Sequence, residues 1–144
     1  MLDLGLVKAT LTSVGRYYAA RAHTDGTALQ PYRAELGSGY NNPRWGETLL
    51  PSQESTGVVN MVWEGDLANG RVWLERANPR TLVIRIAGPI NSSVRITEAM
   101  VYARIVSSPY LSEVGSEIPW ASVAFPEWFH ATDQQFVLRI VLPM

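Results

Sequence analysis

The residues able to do acid–base or nucleophilic chemistry are few and scattered. His23 and His130 are the two histidines, and neither has a carboxylate or a second histidine at metal-ligand spacing. Ser13, His23 and Asp25 could be drawn as a triad, but nothing makes residues along one helix end converge, and no nucleophile-elbow pattern surrounds Ser13. Glu98 has no second carboxylate or histidine nearby in sequence to share general acid and base work. Glu35, Glu47 and Glu54 flank a turn-rich region, where solvated surface positions explain them. Gly37-Ser38-Gly39 lacks the following Gly, Lys and helix of a phosphate loop. The chain has no cysteine, which excludes thiolate metal sites, disulfides and Cys nucleophiles. These residues predict no catalysis, no metal and no cofactor, and favour a structural or binding role.

The composition bounds the partners. At 144 residues the chain reads as one domain, 1–144, long enough to bury a core. A net charge of -1 argues against nucleic-acid binding, which needs a basic face for phosphates. The basic residues are eleven Arg against the single Lys8, and there are 5 Trp and 6 Tyr. Arg pairs with carboxylates through a rigid fork, and these residue types are enriched at protein interfaces. No apolar run reaches membrane-spanning length, and Asp3 and Lys8 interrupt any signal-peptide pattern. The expected product is cytoplasmic or assembled into a particle inside a cell. The sequon Asn91-Ser92-Ser93 carries no weight without a secretion signal.

The elements follow from periodicity. Ile96 to Arg104 alternates as a strand, with Ile96, Glu98, Met100, Tyr102 and Arg104 on one face. The other face, Thr97, Ala99, Val101 and Ala103, is small and suits close packing. Leu4, Val7, Leu11, Val14 and Tyr18 recur at spacings of three and four, which predicts a helix over about 4–22. That stripe could pack on the chain's own sheet or serve as an oligomer seam. Strands are expected at 28–36, 57–67, 71–76, 81–87, 94–106 and 134–142, with Asn69-Gly70 turning 57–67 back onto 71–76 as a hairpin. The turn-rich loop 37–46 holds Tyr40, Arg44 and Trp45, which either anchor an interface or, for Trp45, fold back over the core. The stretch 107–132, broken by Pro109, Gly115, Pro119 and Pro126, reads as an irregular flap with an aromatic load of Trp120, Phe125, Trp128 and Phe129. The predicted architecture is α+β: an N-terminal helix packed on a mainly antiparallel sheet of about 28–106 and 134–142, covered by the flap.

The order of these features resembles the N-terminal, baseplate-attaching domain of bacteriophage tail-fibre (tail-collar) proteins. The matching segments are Ala34-Glu35-Leu36-Gly37-Ser38-Gly39, Ile96-Thr97-Glu98-Ala99-Met100-Val101-Tyr102-Ala103 and Asp133-Gln134-Gln135-Phe136-Val137-Leu138-Arg139-Ile140-Val141-Leu142, with a Pro/Glu-Thr segment at Pro43 to Leu49. The chain departs from the family in stopping at Met144, where fibres continue into a shaft and tip, and in its longer Ser107 to Thr132 insertion. The resemblance implies a virion protein that joins fibre to baseplate, as a homo-oligomer, in particular a trimer, without enzymatic activity, nucleic acid or membrane insertion. The expected contact residues are Leu4, Val7, Leu11, Val14, Tyr18, Tyr40, Arg44 and Trp45. A second reading is a carbohydrate-binding module in which exposed Trp45, Trp120 or Trp128 stacks on sugar rings. A small hydrolase would need a convergent carboxylate pair or triad.

Overall fold

Alternation in the apolar residues builds most of the molecule. The computed structural model describes residues 2–38, 58, 60–78, 81–90, 93–130 and 134–142, without the side chains of Leu2, Ala77 and residues 124–130. The described residues form strands β1 (Leu2–Lys8) and β2 (Thr10–Leu11), helix α1 (Ser13–Thr24), and strands β3 (Ala28–Gly37), β4 (Met61–Asp66), β5 (Val72–Asn78), β6 (Thr81–Pro89), β7 (Val94–Ser107), β8 (Glu117–His130) and β9 (Gln135–Val141). They pair into a four-stranded sheet of order β1-β9-β6-β5 and a five-stranded sheet of order β2-β8-β7-β3-β4. All described pairings are antiparallel except β1 with β9. The α+β class and the mainly antiparallel pairing therefore hold, as two sheets with one helix.

The two sheets share one core. Ile84 and Ile86 of β6 and Phe136, Leu138 and Ile140 of β9 meet Leu36 of β3, Ala99 and Val101 of β7, and Val123 of β8. Each fully buried large side chain contributes about 1.5–3 kcal/mol. Alternation sets the faces: Val137, Arg139 and Val141 point to the outer side of the first sheet because Phe136, Leu138 and Ile140 point in. Gly88 on β6 gives the Trp63 indole its seat, since a Cβ there would lie 2.6 Å from Trp63 Nε1. Trp63 in turn meets Phe136 edge-on, at 5.4 Å between ring centroids. At the far end of β7 the same face is covered by α1 instead, with Tyr18 packed on Ala103, Ile105 and Ile118.

Four expectations are corrected. The helix begins at Ser13, not near residue 4, and Leu2–Lys8 is a strand laid parallel on β9. Gly5 has φ 83°, and the register of β1 shifts between Asp3 and Leu6. That bulge turns an alternating pattern into an apolar spacing of three, Leu4 to Val7, which imitates a helix. Thr12 caps the true helix: its Oγ1 accepts from Gly15 N–H at 2.8 Å, and its hydroxyl donates to the Pro119 carbonyl at 2.5 Å.

The turn after β4 is not a hairpin. Asn69 Oδ1 accepts from the N–H groups of Asp66 and Arg71, and Gly70 takes φ 74°, but the turn carries the chain from one sheet to the other. β5 pairs with β6, not β4. The stretch read as an irregular flap, 107–132, is largely strand: a 3-10 turn at Leu111–Glu113 leads into β8, which pairs along β7. Lastly, Ile96 joins the core with Ala99 and Val101 rather than lying with Glu98, because the β7–β8 register shifts between Ile96 and Glu98.

Candidate functional site

The expected contact residues do not converge. Leu4 is core, Val7 packs against the core, Leu11 is half-buried beside β8 and Tyr18 of α1 is half-buried against Ala103, Ile105 and Ile118, so these four do not form an exposed seam. Val14 is exposed on α1. Tyr40, Arg44 and Trp45 lie outside the described residues. Of the tryptophans offered as sugar platforms, Trp120 is half-buried and packs against the core, and Trp45 and the Trp128 side chain lie outside what is described. Ser13 and Asp25 stand at opposite ends of α1, about 18 Å apart by helix rise, so the triad does not form.

Cross-strand register instead collects three groups of polar and aromatic side chains. The first lies on the outer face of the five-stranded sheet. Arg33 of β3 binds Glu117 of β8 through two nitrogens, at 2.8 and 3.0 Å, and reaches Glu35 at 2.8 Å. Its guanidinium stands 4.0 Å over the Tyr102 ring, whose hydroxyl donates to Glu35 at 2.7 Å. Glu35 and Glu64 are directly paired across β3 and β4, an unfavourable like-charge position that Arg33 bridges. The Tyr32 hydroxyl binds Glu117, and Arg104 stacks on Tyr32. Burial and the Glu35 hydrogen bond push the Tyr102 phenol well above its ordinary value. Hydrogen bonding to Arg33 holds Glu117 below the usual carboxylate range. A phenol that resists ionising and a carboxylate that resists protonation make a poor base and a poor acid. The arrangement is suited to locking β3, β4, β7 and β8 together.

The second group ties α1 to the turn between β7 and β8. Arg21 is 8% exposed; its Nε donates to Asp25 at 2.9 Å, and Nη1 and Nη2 donate to Glu113 at 2.8 Å each. The guanidinium lies 5.8, 5.3 and 5.5 Å from the ring centres of Tyr17, Tyr18 and Tyr110. Asp25 also accepts from the Thr27 hydroxyl and N–H, and Glu113 from the Ser108 hydroxyl. Thr27 first, and then Arg21, lowers the Asp25 pKa; Arg21 and Ser108 lower that of Glu113.

These depressed carboxylates set a pH dependence. Asp25, Glu113 and Glu117 bind protons less readily folded than unfolded, so their contribution is present above the unfolded values of 3.8 and 4.5 and is lost as pH falls through the folded ones. Tyr102 and Tyr32 are raised, so theirs is lost as pH rises past the ordinary 10.0. The urea midpoint should hold across the neutral range, then fall below about pH 4.5 and again above about pH 10. Urea titrations at fixed pH values between those limits and beyond them check it.

The third group crosses the outer face of the four-stranded sheet. Leu6, Arg139, Arg85 and Trp73 are successive cross-strand partners on β1, β9, β6 and β5. Leu6 is 63% and Trp73 38% exposed, one at each edge of the sheet. Arg85 stacks on Trp73 at 4.6 Å and pairs with Glu75 at 3.0 Å, whereas Arg139 has, among the described residues, only Asp3 at 3.9 Å. Two guanidinium groups thus sit in direct register, a like-charge position that Glu75 offsets at Arg85 and that Asp3, farther off, offsets less at Arg139.

The sequence reasoning missed all three groups. Only Arg21 with Asp25, one helical turn apart, carried a local signal. No group of described residues has metal-binding composition, and no described helix is long and apolar enough to cross a membrane. Comparison with known proteins finds no matching family, no matching curated protein and no matching solved structure.

Proposed function

We propose that this chain is a non-enzymatic structural protein of a phage tail, joining fibre to baseplate through protein–protein contacts. The observation that carries the reading is the outer row Leu6–Arg139–Arg85–Trp73, an open sheet face with apolar side chains at its edges and two adjacent guanidinium groups at its centre, of which Arg139 is the less closely paired. Trp, Arg and exposed aliphatic residues are what interface hot spots are made of. A two-fold contact through this face would bring four guanidinium groups together, so the row suits an unlike, acidic surface of a neighbouring chain. Unlike surfaces meeting head to tail are how a threefold ring is built, in keeping with the trimer the family resemblance implies. The segments that carry the resemblance pack together. Leu36 pairs with Ala99, and Phe136, Leu138 and Ile140 enter the same core, so the three matching segments act as one unit.

Light scattering coupled to chromatography tests the assembly. A trimer has three times the 16.0 kDa chain mass. The double variant Arg139→Glu, Trp73→Ala should lower that mass to a monomer's while the unfolding midpoint changes little, as both side chains are on the surface. A wild-type chain that stays monomeric at its highest soluble concentration overturns the trimer. A trimer indifferent to the double variant removes the row from the contact.

A further inference from the structure

We propose that the cleft between α1 and the turn joining β7 to β8 is a binding subsite for an uncharged sugar ring. The cleft measures about 480 Å³ and is lined by Tyr17, Arg21, Asp25, Tyr110, Ser112 and Glu113. That volume is in the range of small-molecule sites. Tyr17 and Tyr110 are 60% and 62% exposed, so among the described residues each presents ring surface beyond the side that Arg21 lies against. The C–H face of a pyranose stacks on such rings, burying apolar area on both sides.

The charges select the ligand by elimination. A cation stacked on these rings would sit beside Arg21, a like charge that already lies against one side of them. An anion would face two carboxylates against one guanidinium. What remains is a neutral molecule with hydroxyl donors, and the acceptors are in place. Each carboxylate offers about four acceptor positions. Asp25 Oδ1 takes two bonds from Thr27, and Glu113 Oε2 takes one from Arg21 and one from Ser108. Asp25 Oδ2 and Glu113 Oε1 take one each from Arg21, which leaves each of them a further lone pair beside the cleft. Two acceptors flanking one guanidinium match the neighbouring hydroxyls of a sugar. Because Arg21 fixes both carboxylates beforehand, a ligand need not order them, and the conformational cost of binding is small.

The cleft lies within one chain, so the proposal stands or falls apart from the assembly reading. The test is amide NMR of the full chain titrated with glucose, galactose, mannose and N-acetylglucosamine, to roughly 50 mM because single-ring sites are of millimolar affinity. At least one sugar should give saturable shifts at Asp25–Thr27 and Ser112–Glu113. Tyr110→Ala and Tyr17→Ala should each weaken that binding at least about tenfold, as expected when one stacking ring is lost. Met61→Ala, on the exposed edge of β4, should leave it unchanged. Absence of saturable shifts with all four sugars overturns the proposal. So do shifts that survive both tyrosine variants, and so does saturable binding of inorganic phosphate in the cleft in place of sugar.

Discussion

Gly15→Ala should destabilise the protein by about 3 kcal/mol, although alanine in a helix normally gains about 1 kcal/mol over glycine. The reversal comes from the α1–β8 contact. A Cβ at Gly15 would lie 2.1 Å from the Trp120 carbonyl oxygen and 3.1 Å from its carbonyl carbon. That backbone cannot step aside cheaply. The Trp120 carbonyl accepts from Thr12 N–H at 3.0 Å, and the next residue, Ala121, is held in the β2–β8 and β7–β8 ladders. The first turn of α1 would have to lift, and with it the Thr12 cap and its bond to Pro119. Urea denaturation of the variant checks the sign: a rise in midpoint would mean that α1 does not approach β8 so closely.

Phe136→Ala should cost about 3–5 kcal/mol, the usual penalty for emptying a fully enclosed aromatic site. Phe136 is 0% exposed and stands edge-on against Trp63, so its loss opens a void that joins both sheets. Its neighbours cannot collapse into the void without leaving their ladders, since Phe136 pairs with Leu2 on one side and Gly88 on the other. Val137→Ala, one residue along on the outer face and 8% exposed, removes two carbons rather than a ring and should cost about 1.5 kcal/mol. Urea unfolding of the two variants should differ in midpoint with similar slopes. Equal losses would mean that the alternation assigned to β9 is wrong.

The contrast between those two residues shows what was legible in the sequence. β6 and β9 were readable because no bulge resets their parity: the two strands pair from Val83 with Val141 to Pro89 with Gln135 without a register shift. The beginning of the chain was not, because the bulge at Gly5 resets the parity and Leu4, Val7 and Leu11 fall at helical spacing. β8 was hidden by its prolines. Pro119 pairs with Tyr102 where the register shifts, and Pro126 falls in the other shifted segment, between the partners of Ile96 and Glu98. Proline in a strand is tolerated at such irregularities, so it marks bulges here rather than loop. The polar clusters lay beyond local reading, since Arg21 and Glu113 are 92 residues apart and Arg33 and Glu117 84.

The parallel pairing of β1 with β9 has a kinetic consequence. Leu2 lies beside Phe136, and β9 is inserted between β1 and β6. The four-stranded sheet therefore cannot close until β9 has been made, and β1 waits until then for its only described partner. A topology so dominated by distant pairings folds on the millisecond-to-second scale of all-β domains, not the microseconds of helical bundles. On the ribosome, β1 and the inner edge of β6 remain open to other chains until β9 emerges. An oligomer of this protein would then form only after β9 has emerged from each chain, so that assembly is timed by that strand.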